Sequence, residues 1–143
     1  MTVILHELSK QIKSLKSNEG IFEKIYEHIY KIICYQDYYD LNKHIHDLNI
    51  WINVIKKEVE KNKIKQNKLT TYINKEINDK VRQQIRDKVD RKYTIPKVNN
   101  NIKTVDEFFD RLIISMYNNN TSQILKQLKQ YVEDNHENSR VTW

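Results

Sequence analysis

The side chains of this sequence that are best suited to binding a metal ion are those of Cys34, His28, His44 and His46. Thiolate sulfur and imidazole nitrogen are the usual zinc ligands, and their spacing along the chain is diagnostic of a site. His44 and His46 are two residues apart, which places them about 200° apart around a helix, and no Cys-x2-Cys or His-Glu-x-x-His spacing occurs. We therefore expect no metal site, with Cys34 filling a small space in the core and the histidines lying on the surface.

Catalytic motifs are equally scarce. The sequence contains no Gly-x-Ser-x-Gly elbow, no Glu-x-x-His repeat and no Cys/His pair with a recognised local signature. The Glu-x-x-Asp spacing of Glu107 and Asp110 is explained by a helix-capping role for Glu107. Gly20 is the single glycine, and the loops that cradle phosphates and dinucleotides need several. We predict that the protein is not an enzyme and takes no cofactor.

Positive charge is concentrated in one third of the chain. Residues 56–92 contain 13 Lys or Arg and 6 Asp or Glu, whereas the remaining residues contain 12 and 13. On a helix, the cations that would lie within about 40° of one another are Lys68, Lys75, Arg82 and Arg86. Such a face can follow a phosphate backbone, so nucleic-acid binding is one interpretation. The other is a solvated face on an exposed helix, since Asp79, Asp87 and Asp90 interrupt the charge.

A second candidate for nucleic-acid recognition is the short turn around 118–121, between two predicted helices. The helix after this turn would present four long polar side chains on one face, namely Gln123, Lys126, Gln127 and Gln130. Gln and Lys can read base edges from the major groove, and the arrangement resembles a helix-turn-helix in spacing alone. The turn lacks the glycine usual in that motif, so an ordinary solvent-exposed face is the preferred interpretation.

Composition is that of a compact helical protein rather than a membrane protein. Of the 143 residues, 38% are hydrophobic and 31% are charged, the net charge is +6, and 20 Ile, 20 Lys and 16 Asn are present. An AT-rich genome produces the same excess, which weakens any argument that the lysines were selected. No apolar run approaches the roughly 20 residues of a membrane-spanning helix, and one cysteine suits a reducing compartment. We expect one domain over 1–135, no membrane partner and no secretion, with a place in the cytoplasm, or in the host cytoplasm or nucleus if the gene is viral.

Apolar side chains at spacings of three and four residues predict helices along most of the chain. The first stripe consists of Leu5, Leu8, Ile12 and Leu15. The second helix spans about 19–35, and its apolar positions recur so regularly that we assign it to the core.

The third helix shows a heptad seam, in which apolar residues recur at alternating steps of four and three. The seam consists of Leu41, Ile45, Leu48, Ile52, Ile55 and Val59. Ile50, Trp51 and Val54 lie outside it, so we expect this helix to contact more than one neighbour. Asp40 is the predicted N-cap, and the polar stretch 61–68 is the predicted break after the helix.

An apolar residue recurs at every fourth position over the next segment. The series, hereafter the 69–89 ridge, consists of Leu69, Ile73, Ile77, Val81, Ile85 and Val89. On one continuous helix each step of four residues overshoots a turn by about 40°, so the ridge is thin and winds around the helix. Because such a helix buries little area for its length, we expect it either to be peripheral or to be covered by a partner chain, which is another protein or a second copy.

Two further helices complete the chain. Thr104 and Glu107 fit the Ser/Thr-x-x-Glu capping box at the start of a strongly amphipathic helix. The last helix begins at Thr121 or Ser122, and 136–143 is interpreted as a flexible C-terminal tail. The predicted architecture is therefore all-α, a bundle of about six helices with no β-sheet.

These features favour a non-enzymatic helical module for protein–protein interaction or self-assembly. The predicted partner is another protein or a second copy of the chain as a homo-oligomer, and the 69–89 ridge is the predicted contact. Nucleic-acid binding through the basic helix face in 56–92 is the alternative.

Overall fold

The computed structural model describes residues 20–35, 40–94 and 96–141, with side chains through residue 135. Its α-helices, labelled in chain order, are α1 Ile21–Tyr30, α2 Leu41–Lys61, α3 Gln66–Glu76, α4 Asp79–Lys92, α5 Ile102–Asn118 and α6 Thr121–Val141. Within the described ranges there is no strand, so the predicted all-α bundle is confirmed, and no helix there is both long and apolar enough to cross a bilayer. The first predicted stripe, residues 5–15, lies outside the described residues.

The helices α1 and α5 form the centre of the bundle. α1 packs against α2, α4 and α5, and α5 also contacts α2, α3 and α6. The fully buried side chains of α1 repeat the spacing seen in the sequence: Ile25, Tyr26, Ile29 and Tyr30. Burying one side chain of this size contributes about 1.5–3 kcal/mol, so α1 anchors the fold. The assignment of this helix to the core is confirmed.

The turn that directly follows α1 is wound more loosely than an α-helix. Residues Lys31–Tyr35 form a π-helical turn in which Cys34 is fully buried. The carbonyl oxygen of Cys34 accepts hydrogen bonds from the amides of Val98 and Asn99, at 2.8 and 3.0 Å. Carbonyl groups in a last helical turn lack partners inside the helix, and here the loop between α4 and α5 supplies them. The sequence predicts helix as far as Tyr35, but not the change of winding.

α2 has the predicted heptad seam. Its buried side chains are Leu41, Leu48, Ile52, Ile55 and Val59. Ile45, the remaining seam residue, is half-buried against the core. Asp40 occupies the N-cap position as predicted, although its side chain makes no capping hydrogen bond. α2 ends at Lys61 and α3 begins at Gln66, with Lys63 at a φ of 52° between them, so the predicted break is confirmed.

The continuous helix predicted over 69–89 is wrong, because the chain is interrupted at Ile77 and Asn78. Ile77 is the C-cap of α3, and Asn78 is extended before α4 begins at Asp79. The side chain of Asn78 accepts a hydrogen bond from the amide of Val81 at 3.1 Å, which satisfies a donor in the first turn of α4. The apolar positions of the ridge therefore belong to two separate helices.

The capping box predicted from Thr104 and Glu107 is also wrong. α5 begins at Ile102, and the side chain of Asn101 accepts a hydrogen bond from the amide of Thr104 at 3.2 Å. Thr104 thus lies inside the first turn, where its amide is one of the donors that need a cap. Asn101 takes this role because an Asn side chain is among the most effective N-caps.

The helices α5 and α6 form a hairpin with a short turn. Asn119 has a φ of 55°, and α6 begins at Thr121, one of the two predicted starts. Farther along the hairpin, the Phe108 ring lies 6.0 Å from the Tyr131 ring, which shows that the helices stay side by side. The segment 136–143, predicted as a tail, begins inside α6.

Candidate functional site

The predicted basic face is divided between the surface and the core. Lys68 and Lys75 are exposed on α3, whereas only 8% of Arg82 and 8% of Arg86 is exposed on α4. The interruption at Asn78 places the two pairs on different helices. The expectation that all four cations form one exposed stripe is therefore wrong, because it depended on the geometry of a single continuous helix.

Arg82 is held by α5 and by the backbone that precedes α4. Its Nη1 lies 3.3 Å from Asp106 and its Nη2 lies 3.5 Å from Asp110. Its Nε donates to the carbonyl oxygen of Ile77 at 2.9 Å, and its guanidinium lies 5.1 Å from the centre of the Phe109 ring. Ion pairing and cation–π contact both stabilise an arginine that is shielded from water. Arg82 therefore fastens α4 to α5.

Tyr26 of α1 connects the two buried arginines. Its hydroxyl donates to Asp106 Oδ1 at 2.7 Å and accepts a hydrogen bond from Arg86 Nη1. Arg86 Nη2 in turn donates to Gln83 Oε1 at 2.8 Å. Burial, together with the neighbouring Asp106, raises the pKa of Tyr26 well above its ordinary value, so the hydroxyl keeps the proton that it donates. The result is an internal polar network that joins α1, α4 and α5.

The 69–89 ridge is covered by the protein's own chain over most of its length. Its buried members are Leu69, Ile73, Ile77 and Val89, and its half-buried members, which pack against the core, are Val81 and Ile85. The expectation that a second chain is needed to cover the ridge is wrong for the buried members. The interruption at Asn78 lets α3 pack against α5 and α4 pack against α1. Self-association itself stays a prediction, but it no longer has the ridge as its support.

A second polar cluster surrounds Asp90 of α4. Tyr30 and Tyr35 each donate a hydroxyl to Asp90 Oδ1, at 2.8 and 2.7 Å. The Nζ of Lys97 lies 3.0 Å from the other carboxylate oxygen. Burial alone would raise the pKa of Asp90, but the tyrosine hydrogen bonds and Lys97 hold it below its ordinary value. This cluster fastens the loop after α4 to the end of α1.

The thiol and imidazole groups lie in separate surroundings. Cys34 is fully buried, and burial raises the pKa of its thiol to about 11. His28 packs edge-on against Trp51, with 4.6 Å between ring centres, so the expectation that it lies on the surface is wrong. The ring of His44 is 5.0 Å from that of His28, whereas His46 is exposed on α2. Among the residues that the structure describes, no group of three or more His, Cys, Asp or Glu is arranged to hold a metal ion.

Burial also determines the protonation of His28. Its side chain is 15% exposed, and burial, followed by the proximity of His44 and Lys31, lowers its pKa to about 4. Its Nδ1 lies 3.1 Å from the carbonyl oxygen of Lys24, to which a neutral ring donates. His28 is therefore uncharged at neutral pH and acts as an aromatic packing residue.

The α5–α6 hairpin lacks the geometry of a helix-turn-helix. The hydroxyls of Ser115 and Thr121 lie 2.9 Å apart near the turn, and Arg111 donates to Gln127 farther along both helices. The two helices are thus antiparallel, whereas a helix-turn-helix crosses at about 90–120°. All four members of the predicted recognition face are exposed, but Gln127 accepts a hydrogen bond from Arg111 of α5 and Gln130 donates one to Asp134.

A surface groove of about 330 Å³ lies between α2 and α6, hereafter the α2/α6 groove. Its lining residues from α2 are Asn42, Ile45, His46 and Asn49. Its lining residues from α6 are Ser122, Leu125, Lys126 and Lys129. Ile45 and Leu125, which pack towards the core, form an apolar floor, and the other side chains are polar or cationic. The sequence does not predict this groove, because its two walls come from distant segments.

Ile50 lies on α2 one helical turn after His46, which lines the groove, and about 140° around the helix from Ile45. It is 44% exposed, whereas Trp51 and Val54 are half-buried against the core. In the part of the chain that the structure describes, the other exposed large hydrophobic residue is Val98, in the loop between α4 and α5. A position outside the heptad seam does not by itself predict this exposure, since Trp51 and Val54 also lie outside the seam and pack against the core.

Similarity assigns no role to the groove or to Ile50. The chain matches none of the protein families, curated proteins or solved structures with which it was compared. What this surface binds is therefore inferred from its shape and chemistry.

Proposed function

We propose that this protein is a non-enzymatic helical module that binds another protein through the exposed face of α2 and the adjoining α2/α6 groove. The observation that carries the proposal is Ile50, a large aliphatic side chain that is 44% exposed. It lies on the same helix as a groove whose floor is Ile45 and Leu125. A concave surface with an apolar floor and polar groups around it is the usual form of a binding site.

The chemistry of this surface matches known modes of protein recognition. Interfaces place apolar side chains at their centre and polar or charged groups around the rim, and an amphipathic helix binds with its apolar face in a groove. Here Ile45 and Leu125 supply the apolar centre, and Lys126 and Lys129 lie at the rim. Ile50 is the exposed apolar residue beside it, one helical turn after His46. Covering apolar area contributes about 25 cal/mol per Å², so covering Ile50 adds about 1 kcal/mol to binding.

The internal polar clusters support a structural role for the residues in them. Arg82, Asp106 and Tyr26 bind one another, and Asp90 accepts hydrogen bonds from two tyrosines beside Lys97. A catalytic group needs an open position beside it where a substrate atom can sit. Because these groups are occupied by neighbouring helices, we assign them to fastening the bundle.

Nucleic-acid binding through α3 and α4 is the second candidate. Lys68 and Lys75 are exposed, as are Lys80 and Lys88 on α4, and exposed lysines can contact phosphates. Arg82 and Arg86 are engaged by Asp106, Asp110, Gln83 and Tyr26. Because two of the four cations proposed for this face lie in the core, it is less well supported as a binding site than the α2 surface.

A displayed library of random peptides of about 16 residues, long enough for about four helical turns, tests the proposal without assuming a partner. The library is selected on the full chain and on an Ile50→Asp variant. We expect enriched peptides to prefer the unmodified chain by about tenfold or more, because a carboxylate that the peptide covers loses water without gaining a partner.

The matched control is Val98→Asp, which makes the same change at the other exposed large hydrophobic residue. This variant should select the same peptides as the unmodified chain. The proposal is overturned if no peptide is enriched, or if the enriched peptides bind the Ile50→Asp variant equally well. Circular dichroism confirms that both variants are folded.

A further inference from the structure

We propose that the α2/α6 groove is specific for an acidic protein segment, in which carboxylates flank one or two apolar side chains. This inference rests on the proposed function and names the chemistry of its partner.

The charge of the groove has one sign. Lys126 and Lys129 line it, and among the described residues that line it none is acidic. Glu133 lies one turn farther along α6, where its carboxylate is 3.9 Å from Lys129 Nζ. That distance is long and both side chains are more than a third exposed, so the pair is weak and Lys129 stays available to a stronger carboxylate partner.

Hydrogen-bond donors complete the recognition of carboxylates. Asn42 and Asn49 present side-chain amides from α2, and Ser122 presents a hydroxyl from the first turn of α6. Amide and hydroxyl groups donate to carboxylate oxygens, and the N-terminal turn of a helix favours negative charge. Anionic groups thus meet donors from both walls of the groove.

The length of the groove fits a short segment of protein. Its α2 wall extends from Asn42 to Asn49 and its α6 wall from Ser122 to Lys129, so each wall covers about two helical turns or roughly 10 Å. Two turns of a bound helix, or three extended residues, have the same length. A partner therefore needs one or two apolar side chains to reach the floor.

The floor of the groove favours a protein over a nucleic acid. Ile45 and Leu125, which form this floor, are both aliphatic. Nucleic-acid sites instead combine a longer series of cations with aromatic side chains on which bases stack. An aliphatic floor beside two lysines is suited to an acidic amphipathic segment.

The test uses the same peptide library with a double charge reversal, Lys126→Glu with Lys129→Glu. The matched control is Lys88→Glu with Lys92→Glu, which changes the net charge equally at two exposed positions of α4. We expect the unmodified chain and the control to enrich peptides with about twice the Asp and Glu content of the starting library. The groove variant should lose this enrichment, and a consensus acidic peptide should bind it about tenfold more weakly in fluorescence anisotropy.

The outcomes separate this inference from the proposed function. If enriched peptides depend on Ile50 but are not acidic, or are equally acidic for the groove variant, the specificity proposed for Lys126 and Lys129 is overturned and the interaction module stands. If no enriched peptide depends on Ile50 for its binding, the proposed function is overturned, together with the specificity that rests on it.

A single-stranded oligothymidylate of about 20 nucleotides, longer than a typical single-strand site, is the probe for nucleic acid. We expect it to bind at least tenfold more weakly than the consensus peptide, and the groove variant to change that binding no more than the α4 control does. The inference is overturned in favour of a phosphate-binding groove if the oligonucleotide binds more tightly than the peptide and the Lys126→Glu with Lys129→Glu variant loses that binding.

Discussion

Arg82 Nη1 lies 3.3 Å from Asp106 Oδ1, and this ion pair joins α4 to α5 inside a network that also includes Tyr26 of α1. The side chain of Arg82 is 9% exposed and that of Asp106 is 33% exposed. A cation that the sequence places on a nucleic-acid face is thus a structural contact between three helices. Removing the Arg82 side chain should therefore lower the stability of the fold rather than weaken nucleic-acid binding directly.

Arg82→Ala is expected to lower the free energy of unfolding by about 2–3 kcal/mol, because it removes a shielded ion pair and the contact with the Phe109 ring. Urea denaturation measures the change. The matched control is Lys80→Ala, an exposed position on the same helix, which should change stability by less than about 0.5 kcal/mol. Equal effects of the two substitutions would show that Arg82 does not fasten the helices.

Leu69→Ala should behave as a core substitution. Leu69 is fully buried, so the truncation is expected to cost about 2–4 kcal/mol by leaving a cavity. Sedimentation velocity should give the same oligomeric state for this variant and for the unmodified chain. A change of oligomeric state with little loss of stability would return the 69–89 ridge to its predicted role as an interface.

His28 makes the stability depend on pH in the mildly acidic range. Its pKa is lowered from 6.5 to about 4 by burial, so between these values the unfolded chain binds a proton that the folded chain does not. Its contribution is therefore fully present above pH 6.5 and is lost as the pH falls towards 4. We expect a loss of about 2 kcal/mol between about pH 7 and pH 4.5 by urea denaturation.

The matched variant for this effect is His28→Gln, which cannot take up a proton. Its unfolding free energy should fall less steeply with acidification than that of the unmodified chain. Identical pH profiles for the two proteins would mean that His28 is not buried in its neutral form.

Asn101→Ala tests the observed start of α5. The Asn101 side chain caps the amide of Thr104, so its loss should cost about 1 kcal/mol. Glu107→Ala should cost less than about 0.5 kcal/mol, since Glu107 is exposed and makes no capping box. The reverse order of the two effects in urea denaturation would restore the capping box predicted from the sequence.

The spacing of apolar residues correctly predicts the helices in which a single apolar stripe faces the core. The seam of α2 and the buried face of α1 are of this kind, and both were located correctly. The 69–89 ridge keeps its four-residue spacing across Ile77 and Asn78, so periodicity gives no sign of the interruption there. Asn78 is a typical N-cap residue, but without a proline or glycine beside it the sequence does not favour a break over a continuous helix.

The candidate site was less predictable because its residues meet only in the folded chain. Arg82 lies on the polar side of its own helix, and only the approach of Asp106 and Tyr26 places it in the core. The α2/α6 groove depends likewise on how two helices pack. The exposure of Ile50 was not predicted either: Ile50, Trp51 and Val54 all lie outside the heptad seam, and of these three Trp51 and Val54 pack against the core.

The central claim is that the α2 face and the α2/α6 groove form the binding surface. The most direct test is to record amide chemical shifts of the isotope-labelled full chain by NMR while one enriched peptide is added. We predict that the largest shift changes fall in residues 42–50 of α2 and 122–129 of α6, with little change in α3 and α4. Largest changes in residues 68–92 instead would contradict the account and favour the basic segment as the binding surface.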